Sequence, residues 1–209
     1  MQILLKRNEF FSMISISKHS KINEAIKNGF LVVYPTDTLY ALGANVFDEK
    51  AVHQVFSIKK RPLSLPIPIA VSSVEMLKEI AILTPLGKIL AEHFLPGPLT
   101  LILENKSVST VVTANKKTIA VRIPDDPIAL NLIEKTGPLT VTSANIHDQL
   151  TPTTIYEIRN MFKSESIVTY IDDGERNGLA STIVDVTSNV PMILRKGTIS
   201  SDEIDAVVS

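Results

Sequence analysis

There is no cysteine among the 209 residues, which removes disulfides, thiolate nucleophiles and cysteine-based zinc sites together. Histidine is scarce. His19, His53, His93 and His147 include no H-x-x-x-H pair of the kind that sets two metal ligands on one helical turn. Glycine occurs only 8 times, and neither G-x-x-x-x-G-K-[ST] nor G-x-G-x-x-G is present, so both familiar glycine-based phosphate cradles are excluded. The nucleophile elbow G-x-S-x-G is also missing. Ser143, His147 and Asp148 are triad-like in composition alone, because catalytic triads gather residues from separate elements rather than from one short stretch. No apolar run approaches the ~18 residues of a membrane span. The opening MQILLKRNEFF lacks the long apolar core and small-residue cleavage site of a secretory signal, so a cytoplasmic protein is expected. Charge of one sign is lacking too: 21 basic against 22 acidic residues leave a formal net charge of −1. Any phosphate or nucleic-acid site must therefore be a local cluster.

What is present describes a folded chain. Hydrophobic residues make up 44% and charged residues 21%, ordinary for a globular protein. No repeat or low-complexity linker interrupts the sequence, which points to a single domain over residues 1–209. KINEAIKNG places Ile22, Ala25 and Ile26 on one helical face with Gly29 as a stop, and DEKAVHQVFSIKK spaces Ala51, Val52, Val55 and Ile58 for an amphipathic helix. Further helices are predicted at 73–80, 84–93, 126–135, 152–162 and 200–207. FLVVY, PIPIAV, LTLILEN, TIAVRI, LTVTSA, SIVTYIDD, STIVDV and MILRKG read as strands. The fold class is α/β, and because several C-terminal strands follow one another directly, the sheet should mix parallel and antiparallel pairs.

Four places set polar residues at the ends of apolar strands. In VVYPTDTLYALG, Thr36 and Thr38 are two apart and face the same way in an extended chain, while Gly43 permits a close approach. Alone, PTDT reads first as a solvated turn. In SIKKRPLSLPIPIAV, the lysines first suit a helix C-terminus. Pro62 bars Arg61 from the helix, however, so Lys59 and Arg61 could converge from an extended chain as a phosphate clamp while Lys60 turns away. In PLTVTSANIHD, Ser143 and Asn145 offer uncharged donors to anionic oxygens, or else cap their own turn. Arg122 in TIAVRIP, Ser181 in STIVDV and Arg195 in MILRKG sit on strands that otherwise look buried. For Arg122 a ligand anion and a structural carboxylate are equal readings; Arg195, before a glycine turn, reads first as surface.

The ordered set YPTDTLYALG, KKRP, PGPLTLIL, AVRIP, TSAN, GLASTIVDV and LRKG resembles the YrdC-type family of threonylcarbamoyl-AMP synthases in its short, single-domain form. Each motif is weak, but their order and spacing hold from about Ile22 to Ser200. The resemblance implies a YrdC-like twisted mixed sheet flanked by helices around a concave basic cavity. It implies a nucleotidyltransferase that makes threonylcarbamoyl-adenylate and pyrophosphate from L-threonine, bicarbonate or carbon dioxide, and ATP. A separate threonylcarbamoyl transferase complex would then modify adenosine beside the anticodon of tRNA. The family's Lys-x-Arg and Ser-x-Asn tetrad falls on Lys59, Arg61, Ser143 and Asn145, with Arg195 toward the nucleotide and Thr36, Arg122 and Ser181 around threonine. Mg²⁺ would be held mainly by the ATP phosphates, with no dedicated protein ligands.

Two departures stand out. Members often read T-S-A-N-x-S-G, whereas Asn145 is followed here by Ile146, His147 and Asp148; and Leu65 replaces a commonly polar residue. The resemblance to the short form, which lacks the extra C-terminal domain of longer relatives, implies that another element or a partner would have to shield the intermediate from water. Two alternatives are an RNA-binding module that contacts tRNA or double-stranded RNA, and a paralogue with different carbamoyl or adenylate chemistry. Aromatics at 5% and the absence of an RNP-like pattern weigh against the first.

Overall fold

The computed structural model describes residues 3–6, 16–163 and 167–208. Among them the strands are β1 (Ile3–Lys6), β2 (Leu31–Tyr34), β3 (Ala41–Gly43), β4 (Ile69–Ala70), β5 (Ala81–Ile82), β6 (Leu99–Asn105), β7 (Thr118–Arg122), β8 (Leu139–Thr140), β9 (Thr142–Ser143), β10 (Ile167–Asp172), β11 (Thr182–Asp185) and β12 (Met192–Arg195). The helices are α1 (Ile16–Lys27), α2 (Glu49–Lys59), α3 (Val74–Ile80), α4 (Pro85–Phe94), the single turn α5 (Thr110–Thr113), α6 (Pro127–Thr136), α7 (Ile155–Phe162) and α8 (Ser201–Val208). Most of MQILLKRNEFF lies outside the described residues. Its strand β1, which the sequence reading did not anticipate, runs parallel to β10.

The strands divide between two mixed sheets. One has the order β1-β10-β2-β3-β9 and the other β12-β11-β6-β7-β4-β8, with β5 added to β6. In the first, β2 is buried on both faces: Leu31 and Val33 enter one apolar cluster, Val32 and Tyr34 the other, where α1 and α6 pack. This is why FLVVY is apolar without a break. In the second sheet, Leu99, Leu101, Leu103, Ile119 and Val121 face the core. The alternate positions Thr100, Ile102, Ala120 and Arg122 face a cavity instead.

LTVTSA is not one strand. Leu139–Thr140 pairs with β4 in the second sheet and Thr142–Ser143 with β3 in the first, so Val141 marks the crossing between sheets. PIPIAV contributes only Ile69–Ala70 to a ladder, because Pro66 and Pro68 have no N–H to donate. Helix α7 begins at 155 rather than 152, where Thr154 and Glu157 close a capping box. Among the described residues no helix is long and apolar enough to cross a membrane.

Candidate active site

A cavity of about 540 Å³ opens between the two sheets. Arg61, Lys116, Arg122 and Arg195 line it, and no aspartate or glutamate does so among the described residues. Its walls come from β3, β6, β7, β9, β11 and β12 together with the Thr36–Leu39 turn.

That turn is local in its bonding but not solvated. Thr36 Oγ1 donates to the Leu39 carbonyl at 2.7 Å and accepts from the amides of Thr38 and Leu39 at 3.2 Å. It also lies 3.1 Å from Thr38 Oγ1, so the two hydroxyls do share a side. Thr36 is 1% exposed. Gly43 takes the close approach expected of it, since a Cβ there would stand 2.7 Å from the Tyr34 ring.

Arg122 has a structural carboxylate after all. Its Nη2 donates to Asp37 Oδ1 at 2.6 Å and to the Gly97 carbonyl at 3.1 Å, while Nη1 donates to Thr38 Oγ1 at 3.1 Å. Burial lowers the arginine's pKa and raises that of Asp37, and each is opposed by the partner's charge. Arg122 Nε and Asp37 Oδ2 remain buried with no partner. Asp37 meets the same guanidinium as Thr38, a partner 85 residues away that nothing in PTDT itself announces.

The Lys-Lys-Arg segment is built differently from the extended chain expected. Helix α2 ends in a left-handed cap at Lys60, with φ 51° and ψ 37°. Arg61 N donates to Phe56 O at 2.9 Å and Lys60 N to Ser57 O at 3.1 Å, the two bonds of a Schellman motif. Lys60 is exposed, as expected, but through this cap rather than strand alternation. Arg61 reaches the cavity with Nε and Nη2 donating to the carbonyls of Leu65 (3.3 Å) and Pro66 (2.9 Å). Burial lowers its pKa, and the charge of Asp148 works the other way. Lys59 does not line the cavity. It is 2% exposed, and its Nζ donates to Ser143 O at 2.5 Å, Asn145 O at 2.7 Å and Asn145 Oδ1 at 3.1 Å.

Ser143 is on the cavity wall and Asn145 behind it. Ser143 Oγ donates to Asn145 Oδ1 at 2.7 Å, and Asn145 Nδ2 donates to the Gln149 carbonyl at 2.7 Å, so the capping reading describes their bonding here. Asp148 stands where the T-S-A-N-x-S-G pattern has glycine. Its φ of 60° shows why that position favours glycine and tolerates aspartate.

Arg195 is an exposed residue whose guanidinium turns back onto Ser181, donating to its carbonyl from Nε (3.1 Å) and Nη2 (2.8 Å) and to its Oγ from Nη2 (3.1 Å). Ser181 Oγ is also 2.8 Å from Thr100 Oγ1. Residues 173–181 link the sheets and lie against the threonine turn: Gly178 N donates to Thr38 O at 3.1 Å, and a Cβ on Gly178 would stand 2.7 Å from that oxygen. Tyr40 pins the start of this link by donating to Gly174 O at 2.6 Å, and burial pushes its phenol up to about 12. Arg176 bridges Asp126 and Asp173 beneath it. Lys116 escaped the sequence reading because it follows two left-handed residues, Ala114 and Asn115, in a turn with no strand-end pattern.

The sequence profile of the Sua5/YciO/YrdC family, described as telomere recombination, matches residues 24–197. The chain is 41% identical over 187 residues to a threonylcarbamoyl-AMP synthase of Pyrococcus abyssi, covering 88% of this chain and 55% of that protein. It is 38% identical to a putative threonylcarbamoyl-AMP synthase of Methanocaldococcus jannaschii over 85% of this chain and 84% of the other. The structure of P. abyssi Sua5 complexed with L-threonine superposes with a TM-score of 0.88 at 38% identity, covering 99% of this chain and 60% of that one. E. coli YciO, at 23% identity and a TM-score of 0.82 over 98% of this chain and 100% of that one, shares the fold. The chain spans about half the length of the P. abyssi and Bacillus subtilis synthases it matches.

Proposed function

The chain belongs to the Sua5/YciO/YrdC family, and from that premise we propose that it condenses L-threonine, bicarbonate and ATP to threonylcarbamoyl-AMP and pyrophosphate. The observation that carries the proposal is the cavity of about 540 Å³ lined by Arg61, Lys116, Arg122 and Arg195 and, among the described residues, by no carboxylate, the one ion pair at its edge being Arg122 with Asp37. Such a volume suits a nucleotide-sized ligand, and the charge suits a polyanion. The similarity to P. abyssi Sua5, whose structure is complexed with L-threonine, supports threonine as the amino acid.

In this reading the free amine of threonine forms a C–N bond to the carbon of carbon dioxide and releases its N–H proton to solvent, or to that of bicarbonate with loss of water, and either route gives a carbamate anion. A carbamate oxygen attacks the ATP α-phosphorus, the bond to the bridging oxygen breaks, and pyrophosphate leaves with that electron pair. The nucleophile is already an anion, so positioning and charge neutralisation carry the rate rather than a tuned base. Arg61 holds phosphate oxygens, Ser143 meets the reacting phosphate, and Arg195 lies toward the nucleotide. Arg122 receives the threonine carboxylate, with Thr36 and Ser181 beside it. Arg122 is on the cavity wall, and of its two Nη1 hydrogens only one is taken, by Thr38 Oγ1. Lys59 and Asn145 complete the tetrad from behind the wall. Mg²⁺ would enter with ATP, held mainly by its phosphates.

We take residues 1–209 as a single YrdC-like domain with a motif-bearing core of about 22–200, a reading supported by strands of both sheets lining one cavity. Its product would pass in the cytoplasm to a threonylcarbamoyl transferase acting on tRNA. The test is pyrophosphate release from MgATP and bicarbonate with and without L-threonine. Release that depends on threonine is expected. No threonine-dependent release, with salt-sensitive RNA binding in its place, would sink the proposal.

A further inference from the structure

We infer that Lys59 is a positioning residue, whose ammonium fastens the Ser143–Asn145 turn from behind, and that the arginines are left to make the phosphate contacts. The inference deepens the proposed function and rests on it for the identity of the phosphate ligand.

An ammonium has three N–H donors and no acceptor. All three donors of Lys59 have oxygen partners on one turn: Ser143 O, Asn145 O and Asn145 Oδ1. None is left for a ligand, and the side chain is absent from the cavity wall. Arg61, two residues on, is the reverse case. Of its five donors only Nε and one Nη2 hydrogen meet carbonyls, and it lines the cavity.

Residue 59 also grips the turn from its other end, because its carbonyl accepts from the His147 amide at 2.7 Å. Four hydrogen bonds thus join the last residue of α2 to positions 143–147. Their consequence reaches the cavity through Asn145 Oδ1, which accepts from both Lys59 Nζ and Ser143 Oγ. The ammonium orients the Asn145 amide, and the amide oxygen holds the Ser143 hydroxyl in place at the wall, from which its O–H can turn to donate to an arriving phosphate oxygen. Lys59 therefore sets the position of a wall hydroxyl that it does not itself resemble in role. Burial, with the charge of Arg61, pulls the Lys59 pKa down to about 7; the three accepting oxygens oppose that loss of the proton.

The test compares Lys59→Met with Arg61→Met in the full chain. Amide exchange of residues 143–149 without ligand should rise about tenfold or more in Lys59→Met, as loss of a charge-assisted network implies, and stay unchanged in Arg61→Met. In pyrophosphate release, Lys59→Met should lower kcat with the KM for ATP within about threefold, whereas Arg61→Met should raise that KM about tenfold or more. Wild-type exchange at 143–149 in Lys59→Met, together with a KM shift equal to that of Arg61→Met, would overturn the inference in favour of a direct phosphate ligand.

A second measurement needs no variant. Acetic anhydride labelling of the wild-type chain should leave Lys59 unreactive both with and without MgATP, while Lys60 reacts in both. Lys59 labelling that MgATP suppresses would also overturn the inference. Exchange and apo labelling need no nucleotide, so a wild-type chain that ignored MgATP would remove the proposed function and still decide what Lys59 holds.

Discussion

Arg122 and Arg61 both line the cavity, yet they are held in opposite ways. Arg122 is 4% exposed and bound to a carboxylate, a hydroxyl and a carbonyl. Arg61 is half-buried and held only by neutral carbonyls of its own loop. The first corner pairs its cation with a carboxylate at 2.6 Å, whereas the hydrogen bonds of the second go to carbonyls alone, which in the proposed reading suits the second to phosphate oxygens. A buried charge must bring its own partner, whereas a half-buried one can wait for the ligand.

The largest effect should come from Arg122→Met, which leaves Asp37 buried without its cation. We expect a loss of about 3–5 kcal/mol in denaturant unfolding as well as loss of pyrophosphate release. If stability held and only activity fell, Asp37 would not be the structural partner that separates the two corners. Arg61→Met should be next, with activity down about a hundredfold and stability changed by less than about 1 kcal/mol. A comparable loss of stability there would erase the contrast.

The third prediction concerns pH. Lys59 is lowered to about 7 in the folded chain from an ordinary 10.5. Between those values the unfolded chain binds more protons than the folded one, so this residue's contribution to stability rises with pH. Below pH 7 both states are protonated and the burial penalty is present in full. Thermal denaturation at pH 6.5 and 9.5 should show wild type gaining on Lys59→Met at the higher pH. A difference independent of pH would show that the ammonium is not strained by burial.

The smallest effects belong to the left-handed positions beside the Arg61 corner. Lys60→Gly should raise stability by up to about 1 kcal/mol by relieving the cap, with activity unchanged. Asp148→Gly removes a carboxylate that is 87% exposed and whose charge acts on Arg61. It should lower the KM for ATP by no more than about threefold, with the KM for threonine unmoved, because solvent screens so exposed a charge. A larger change for threonine than for ATP would mean the corners are not separate.

Much of the fold was readable along the chain. Helices α2, α3, α4, α6 and α8 and strands β2, β6, β7, β10, β11 and β12 are local matters of periodicity, caps and breakers, and they lie within a residue or two of where patterning put them. LTVTSA shows the limit. Its apolar alternation is continuous, and nothing local says that Val141 is where the chain leaves one sheet for the other. The site divides in the same way. Thr36, Arg61, Arg122, Ser143, Ser181 and Arg195 were found as polar residues on apolar strand ends, and all line one cavity. Asp37 and Lys116 were missed because their importance lies in partners 85 residues away or in a turn that aims a side chain.

By itself, then, the sequence determined which residues carry charge at the ends of strands, where α2 must stop and which family's motifs appear in order. Those properties depend on a few neighbouring residues and on backbone sterics. Only the tertiary structure decided which cations face the cavity and which face protein. Lys59 and Arg61 look alike in KKRP, but a side chain's role depends on the acceptors that other elements bring to it. Here the crossing of β8 to β9 delivers three oxygens to the lysine and leaves the arginine its open donors.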